Sequence, residues 1–402
     1  MRQTSLVVVA AAAMALAACS DDDSNADPPA SATSSASTVE TAETAETPPG
    51  SSTATSGAGA QGDAVVAGEP FPESRCAANR EAGTITYLSG FDFAASASIV
   101  EVIVAEQSGY FDELCLDVDL QPSSSTDNYP LVASGEAQFA SGGSFSELVR
   151  QATANEADLV AVSVGGRNAI DSLILKPGTA DSLGDLAGAT IGVKFALPPS
   201  IAAMLATEDL VEGEDYDTVL LDGFDPLVHI TLDGMVGFPG YKSNEPGQLE
   251  RADVPFDLFD PTEFGVPGSF GVLFTSRDFV TEHPTAAEDF VRATMRGLAD
   301  ALADPEAATA TALELIEANN NPNFLSPEGE AFRWQTEAEI IAAETPDGTG
   351  PGVPDVEALQ AELDAYAAVG LFGDGEVPAA ADFVAAAPIE AVYDGAEVIS
   401  PG

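Results

Sequence analysis

Between residues 84 and 175, short apolar segments alternate with helical patterns, and this alternation restricts the fold more than any other feature of the sequence. Residues 84–89 are predicted to form a strand, and residues 95–108 a helix that Gly109 ends. Residues 116–120 alternate apolar and acidic side chains, which is typical of a half-exposed strand. The repeated β-α-β-α order implies an α/β fold with a largely parallel sheet.

A second β/α unit begins near residue 177, because the Lys-Pro-Gly segment at residues 176–178 interrupts the pattern. The unit ends near residue 271, and residues 272–276 are predicted to form one more strand. The remainder is mainly helical in pattern, and we expect Trp334 to lie in its core rather than in a ligand site. Helices are predicted over residues 308–318, 332–343 and 356–369.

Residues 235–249 combine a strand end with side chains of the kinds that bind ligands. Residues 235–238 are predicted to be a buried strand that Pro239 and Gly240 end. Residues 241–245 then place an aromatic ring, a cation, a hydroxyl, an amide and a carboxylate in one loop. Loops at strand ends of an α/β sheet hold small ligands. A solvated turn is the alternative, because Gly, Pro and Asn are common turn residues.

The first residues indicate export. An apolar run over residues 6–18 is shorter than the ~20 residues that span a bilayer, and it fits a secretory signal. Residues 16–19, Leu-Ala-Ala-Cys, resemble a bacterial lipoprotein lipobox, which implies lipid attachment to Cys19; an incidental cysteine after an Ala-rich signal is the alternative. Residues 1–18 are thus predicted to be a lipoprotein signal peptide. Residues 19–82, where small and polar residues dominate, are predicted to be a disordered tether.

The charge of the chain excludes several classes of partner. The formal net charge is −53, from 13 Lys and Arg against 66 Asp and Glu. Nucleic acid would be repelled, and so would a surface of anionic lipid. Attachment to a membrane is therefore expected through the lipid anchor alone.

Cys76 and Cys115 are the cysteines that remain after Cys19, and in an exported protein such a pair can form a disulfide. Two buried free thiols are the alternative. The cysteine spacing suits no zinc site, and His229 and His283 are the only histidines, so no metal is expected. We find no Ser-His-Asp set and no paired catalytic carboxylates in the sequence, so we expect neither an enzyme nor a cofactor.

Several segments resemble a known family. Residues 109–114 (Gly-Tyr-Phe-Asp-Glu-Leu) and residues 131–140 resemble the N-terminal signature of type II periplasmic substrate-binding proteins, and residues 182–193 resemble the start of their second lobe. Asn244, Glu245 and Pro246, together with residues 264–267 and 275–279, resemble more specifically the thiamine-precursor (ThiY-like) branch of the nitrate/sulfonate/taurine group.

The resemblance implies an α/β fold of two lobes with a ligand cleft between them, periplasmic-binding-protein-like of type II, with extra C-terminal helices. Lobe one is expected over residues 83–175 and 272–402, and lobe two over residues 176–271. An exported, monomeric solute-binding lipoprotein of an ABC importer is also implied, anchored to the outer face of the bacterial cytoplasmic membrane. Its partners would be a small-molecule solute and the transmembrane permease subunits.

Carried across residue by residue, the resemblance assigns ligand binding to four loops. The implied ligand-binding residues are Phe91, Asp92 and Phe93; Ser141, Gly143 and Ser144; Phe195; and Tyr241, Asn244 and Glu245. The chain departs from the family pattern, because relatives commonly place a Trp in the first or the last of these loops, where Phe93 and Lys242 stand here.

The residue types of these loops bear on the ligand independently. Free anions need Arg or convergent N–H donors, but the loops hold no Arg and contain Asp92 and Glu245. Aromatic rings with a carboxylate suit a flat, amine-bearing heterocycle such as a thiamine pyrimidine precursor. Lys194 and Lys242 argue the other way, unless they pair with those carboxylates. A flavin, a sulfonate, nitrate and a pyrimidine-synthase-like enzyme that uses Lys194 and His229 remain as alternatives.

Overall fold

The computed structural model describes residues 64–321 and 324–402. The predicted signal peptide, the lipidated Cys19 and most of the predicted tether lie outside these residues. The described strands are β1 (Thr84–Leu88), β2 (Asp117–Gln121), β3 (Phe139–Gly142), β4 (Leu159–Gly166), β5 (Asp171–Leu175), β6 (Thr190–Val193), β7 (Asp217–Leu220), β8 (Gly237–Tyr241), β9 (Asp257–Phe259), β10 (Phe270–Ser276), β11 (Tyr393–Asp394) and β12 (Glu397–Val398).

The helices supply most of the remaining order. They are α1 (Glu73–Glu81), α2 (Val100–Gln107), α3 (Tyr110–Glu113), α4 (Ser125–Ala133), α5 (Phe145–Asn155), α6 (Pro199–Ala206), α7 (Pro226–His229), α8 (Glu245–Arg251), α9 (Arg277–Glu282), α10 (Pro284–Ala303), α11 (Pro305–Asn319), α12 (Pro327–Glu344), α13 (Val356–Ala368) and α14 (Ala386–Glu390). In this part of the chain, no helix is long and apolar enough to cross a membrane.

Lobe one is built on a five-stranded sheet with the order β2-β1-β3-β10-β4. Strand β1 runs parallel to β2 and β3, whereas β10 is antiparallel to β3 and β4. The expectation of a largely parallel sheet therefore holds except at β10. That strand enters the sheet only after the chain has left it to build lobe two, so the two lobes are joined by more than one crossing segment.

Lobe two is built on a second sheet with the order β7-β6-β8-β5-β9. The predicted boundary at residues 175 and 176 is wrong, because β5 pairs with β8 and β9 and so belongs to lobe two. The chain crosses between the lobes within residues 167–170. Strands β4 and β5 are both almost wholly buried, so the apolar pattern does not reveal that they belong to different sheets.

The prediction that Pro239 and Gly240 end the strand is wrong, because β8 continues through them to Tyr241. The Lys176 N–H donates to Val236 O and the Lys242 N–H donates to Ile170 O, so hydrogen-bonded pairs of β5 and β8 alternate with unbonded ones. Pro239 falls opposite Leu173 in an unbonded pair, so its missing N–H removes no bond to β5.

The predicted tether ends too late, because helix α1 forms within residues 19–82. Arg75 Nε lies 2.6 Å from Asp289 Oδ2, and Asn79 Nδ2 donates to the same carboxylate at 2.8 Å. Cys76 and Cys115 form a disulfide, which settles the choice between a disulfide and two thiols. Polar bonds and a covalent bond, rather than apolar burial, hold α1 on lobe one, and composition does not reveal these contacts.

The extra C-terminal helices are present, but they contact both lobes instead of lobe one alone. On α13, Leu359 and Leu363 pack into a lobe-one cluster, whereas Tyr366 packs into the lobe-two core. Trp334 of α12 is buried, as expected, and its Nε1 donates to Ala301 O. Capping side chains start these helices as local chemistry predicts: Ser326 begins α12 and Asp355 begins α13.

Candidate functional site

Exposed aromatic rings lie at or just after the ends of strands in this fold. Among the described residues, four aromatic side chains are exposed, by 45% to 81%. Phe91 follows β1, Phe195 follows β6, Phe224 follows β7, and Tyr241 ends β8. Because exposing a ring forfeits the gain of burying it, and because strand ends are where α/β sheets hold ligands, these rings indicate a binding surface.

Three of the rings, those of Phe195, Phe224 and Tyr241, belong to lobe two. The ring centroids of Phe195 and Phe224 are 6.3 Å apart. Lys194 Nζ lies 5.2 Å from the Phe224 centroid and 2.5 Å from Glu245 Oε1. Glu245 Oε2 in turn accepts the N–H of Tyr241 at 2.8 Å. Glu245 therefore joins the Tyr241 loop to the Phe195–Phe224 pair and balances the charge of Lys194.

Phe91 is the exposed ring of lobe one. The guanidinium of Arg333 lies 5.6 Å from its centroid, a cation–π distance. Arg333 Nη1 donates to Glu330 at 2.9 Å, and Glu330 Oε2 also accepts the N–H of Ala95 at 2.9 Å. Helix α12 thus holds the loop that carries Phe91, and the charge of Arg333 is satisfied internally.

Glu337, also on α12, connects the two lobes. Its carboxylate accepts the N–H of Ala97 at 2.6 Å and the hydroxyl of Ser96 at 3.0 Å, both in lobe one. It also accepts the hydroxyl of Ser243 at 2.8 Å from the Tyr241 loop of lobe two. Burial raises the pKa of Glu337, and these hydrogen bonds act in the opposite direction.

Negative charge dominates around Tyr241. Its hydroxyl has a pKa above the ordinary value, first through loss of solvation and then through neighbouring carboxylates. The carboxylates that act on it are those of Asp171, Glu147, Glu245 and Glu337. Half of the Tyr241 surface is exposed to solvent. A solute here would meet acceptors and aromatic faces.

Three of the predicted ligand residues lie in supporting positions. Phe93 is buried in the lobe-one core, where its ring packs against apolar residues. Contrary to the prediction, the ring has no exposed face on which a solute could stack, because burial among apolar residues is more favourable than exposure to water. Ser141 is buried, and its hydroxyl donates to Ser98 O and contacts Tyr87 Oη. Ser144 accepts the N–H of Glu147 and begins α5.

The other predicted polar residues shape the loops. Asp92 adopts a left-handed φ of 47°, which sets the direction of the Phe91 loop. An added Cβ at Gly143 would lie 2.6 Å from Glu147 Oε2. The absence of a side chain at this position therefore leaves room for the Glu147 carboxylate beside the backbone. Asn244 Oδ1 accepts Gln248 Nε2 at 3.0 Å at the start of α8.

The cations weighed against a heterocycle are engaged within the protein. Lys194 pairs with Glu245, and Lys242 Nζ lies 2.7 Å from Asp260 Oδ1. His229 is buried, and its ring contacts Phe238 and Asp222 O. In residues 64–321 and 324–402, no group of three or more His, Cys, Asp or Glu could hold a metal ion.

Sequence reasoning missed Phe224 and Glu337. Phe224 follows strand β7, so the rule that strand-end loops hold ligands points to this residue. Glu337 lies inside a helical segment, 94 residues from Ser243 in sequence. No local pattern reports such a contact, because it depends on how α12 packs across the lobes.

A family model described as "NMT1/THI5 like" matches residues 96–308, just over half of the chain. The riboflavin-binding protein RibY of Chloroflexus aurantiacus is 30% identical over 136 residues, which are 34% of this chain and 38% of that protein. The chain thus spans well under half the length of this curated relative in the match.

Solved structures share the fold. The ligand-binding component of an ABC-type import system from Staphylococcus aureus, with zinc bound, has a TM-score of 0.55 at 14% identity, covering 76% of this chain and 98% of that one. The periplasmic aliphatic sulphonate binding protein SsuA from Escherichia coli has a TM-score of 0.55 at 12% identity, covering 75% and 91%. The expected two-lobed α/β fold is confirmed, and both of these neighbours are binding proteins rather than enzymes.

Proposed function

Because the chain belongs to the NMT1/THI5-like family, we propose that it is an extracytoplasmic solute-binding lipoprotein of an ABC importer that captures a flat heterocycle carrying amine or N–H donors. A thiamine pyrimidine precursor is the leading solute. The protein binds the solute between its lobes and presents it to the permease subunits, so the task is recognition and closure rather than chemistry.

The observation that carries the proposal is the set of exposed rings at strand ends beside a surplus of carboxylates. Phe195, Phe224 and Tyr241 offer aromatic faces on lobe two, and Phe91 offers one on lobe one. Stacking on such rings is worth about 1–3 kcal/mol for each base-like ring. Of the carboxylates that act on Tyr241, those of Asp171 and Glu147 form no ion pair among the described residues. They can therefore accept from amino groups, which an aminopyrimidine has and a sulfonate lacks.

A flavin is the second candidate, because the curated relative that matches over 136 residues is a riboflavin-binding protein. The isoalloxazine ring is also flat and carries an N–H donor, so it would use the same aromatic faces. Sulfonates and nitrate fit less well, since Lys194 and Lys242 are already paired with Glu245 and Asp260 and offer no free cation to an anionic group.

Thermal stabilisation of the full chain in detergent tests the class of solute. The panel is an aminopyrimidine thiamine precursor, thiamine, riboflavin, taurine, methanesulfonate and nitrate. A solute at about 100 times its Kd adds ~2.7 kcal/mol to the free energy of unfolding. Stabilisation by the aminopyrimidine supports the proposal, and stabilisation by riboflavin alone favours the second candidate. Stabilisation by anions alone contradicts both.

Ring removal then locates the site. Phe224→Ala is expected to weaken binding of the stabilising solute about 5- to 150-fold, because one stacking face is lost. Val211→Ala, which changes an exposed apolar residue elsewhere on lobe two, is the matched control and should leave the affinity unchanged. Equal affinity in Phe224→Ala and in the control would remove the Phe195–Phe224 pair from the site.

A further inference from the structure

The C-terminal helix α13 places a carboxylate at the start of a lobe-one helix. Glu362 is completely buried, and its Oε1 accepts the backbone N–H of Ser146 at 3.0 Å. Ser146 lies in the first turn of α5, which begins just after the carboxyl end of β3. The start of a helix attracts anions, because its first N–H groups have no partner within the helix. Here the anion comes from the protein.

The first turn of α5 is satisfied at three consecutive N–H groups. Phe145 N–H donates to Ser269 Oγ at 2.8 Å, and Glu147 N–H donates to Ser144 Oγ at 3.2 Å. The Ser146 N–H between them goes to Glu362. Burial raises the pKa of Glu362, and the hydrogen bond from Ser146 acts in the opposite direction. A solute anion would have to displace this carboxylate to reach the Ser146 N–H.

The turn that leads into α2 repeats the arrangement. Glu330 accepts the N–H of Ala95, Glu337 accepts the N–H of Ala97, and Glu101 accepts the N–H of Ser98. Ala95, Ala97 and Ser98 precede α2 by a few positions. Three more backbone N–H donors of lobe one are therefore occupied by buried glutamates of the same chain.

Lobe two offers few donors at the corresponding place. Helix α6 begins with Pro198 and Pro199, and neither carries an N–H. Ser200 follows, and its hydroxyl donates to Asp171 Oδ2 at 2.7 Å. Tyr366 of α13 packs in the same lobe-two core as Ile201 of α6, so one helix, α13, borders both helix starts.

We propose that Glu362 is a specificity-determining residue that occupies the place where an anionic group of a solute would bind, so that the cleft rejects oxyanions and selects solutes with N–H donors. This inference rests on the proposed function and deepens it. The relevant chemistry is a small planar oxyanion, of which nitrate is the simplest probe because it matches a carboxylate in shape and charge.

The test compares nitrate binding by the wild-type chain and by Glu362→Ala, measured as thermal shift against sodium chloride of equal ionic strength. The variant frees the Ser146 N–H and the volume of the carboxylate. We expect it to bind nitrate at least about tenfold more tightly than the wild type, the effect of about 1.4 kcal/mol for one recovered hydrogen bond. Glu362→Gln should gain nothing, because its amide oxygen still accepts Ser146 N–H.

Glu357→Ala is the control, since it removes the same charge from an exposed position of α13. Equal nitrate responses in Glu362→Ala and Glu357→Ala would overturn the proposal. Specific nitrate or methanesulfonate binding by the wild type would also overturn it, and this arm decides the question even if Glu362→Ala does not fold. Failure of the heterocycle panel, by contrast, leaves the nitrate comparison intact, so the two proposals fail separately.

Discussion

At the scale of single residues, buried glutamates accept hydrogen bonds that connect separate segments of the chain. Glu245 holds Lys194 and the Tyr241 loop, and Glu337 bonds to both lobes. Each is surrounded by donors, which is the condition under which a buried carboxylate is tolerated. Glu101 is less well supplied, because its Oε1 accepts the Ser98 N–H while its Oε2 is buried without a hydrogen-bond partner.

Glu101 should therefore make stability depend on pH. Burial raises its pKa from 4.5 to about 7. Between these values the unfolded chain has lost the proton that the folded chain keeps, so this group's contribution to stability falls as the pH rises from about 4.5 to about 7, by on the order of 3 kcal/mol. Glu101→Gln cannot ionise, so its stability relative to wild type should rise over that window.

Urea unfolding at pH 5 and pH 8 measures the effect, with Glu282→Gln as a variant of an exposed carboxyl. The quantity to compare is the difference between variant and wild type at each pH, because other titrating groups cancel in it. A Glu101→Gln difference that does not change with pH would show that Glu101 is ionised in the folded state.

At the scale of elements, the contact of α10 with α2 depends on Gly297. A Cβ added there would lie 2.1 Å from the backbone oxygen of Glu101. Gly→Ala inside a helix normally stabilises by about 1 kcal/mol, whereas overpacking of a tight interface costs about 1–3 kcal/mol. We expect Gly297→Ala to lower the free energy of unfolding, because the clash is with backbone and α10 must shift.

Equilibrium unfolding in urea tests this, with Ala299→Gly on the exposed face of α10 calibrating the helix-propensity contribution. Ala299→Gly should cost about 1 kcal/mol. A Gly297→Ala protein that is as stable as the wild type, or more stable, would mean that α10 and α2 have room between them.

At the scale of the whole molecule, the disulfide fixes the N-terminal helix to lobe one. Cys76 and Cys115 are 39 residues apart, and closing such a loop restricts the unfolded chain by about 3–4 kcal/mol in the chain-entropy estimate. The double variant Cys76→Ser/Cys115→Ser should lose that amount in denaturant unfolding. Reduction of the wild type with a thiol should reproduce the loss, and a reductant effect on the double variant would point to another cause.

Periodicity and strand-end chemistry in the sequence determined much of this protein. The β/α order, the strand-end positions of Phe91, Phe195 and Tyr241, and the C-terminal helices all follow from patterns within about 15 residues. Cys76 and Cys115 could be named as a pair because few cysteines exist, but their bonding required the structure. Local rules succeed here because each concerns neighbours along the chain.

Tertiary structure alone decided which of the candidate site residues are exposed and which are buried in the fold. Phe91 and Phe93 are two positions apart and chemically identical, yet one is exposed and the other lies in the core. The pairing of Lys194 with Glu245, the placement of β5 in lobe two, and the contact of Glu362 with Ser146 N–H join segments that are distant in sequence. Such contacts depend on how sheets and helices pack, since burial and charge compensation are properties of the assembled chain.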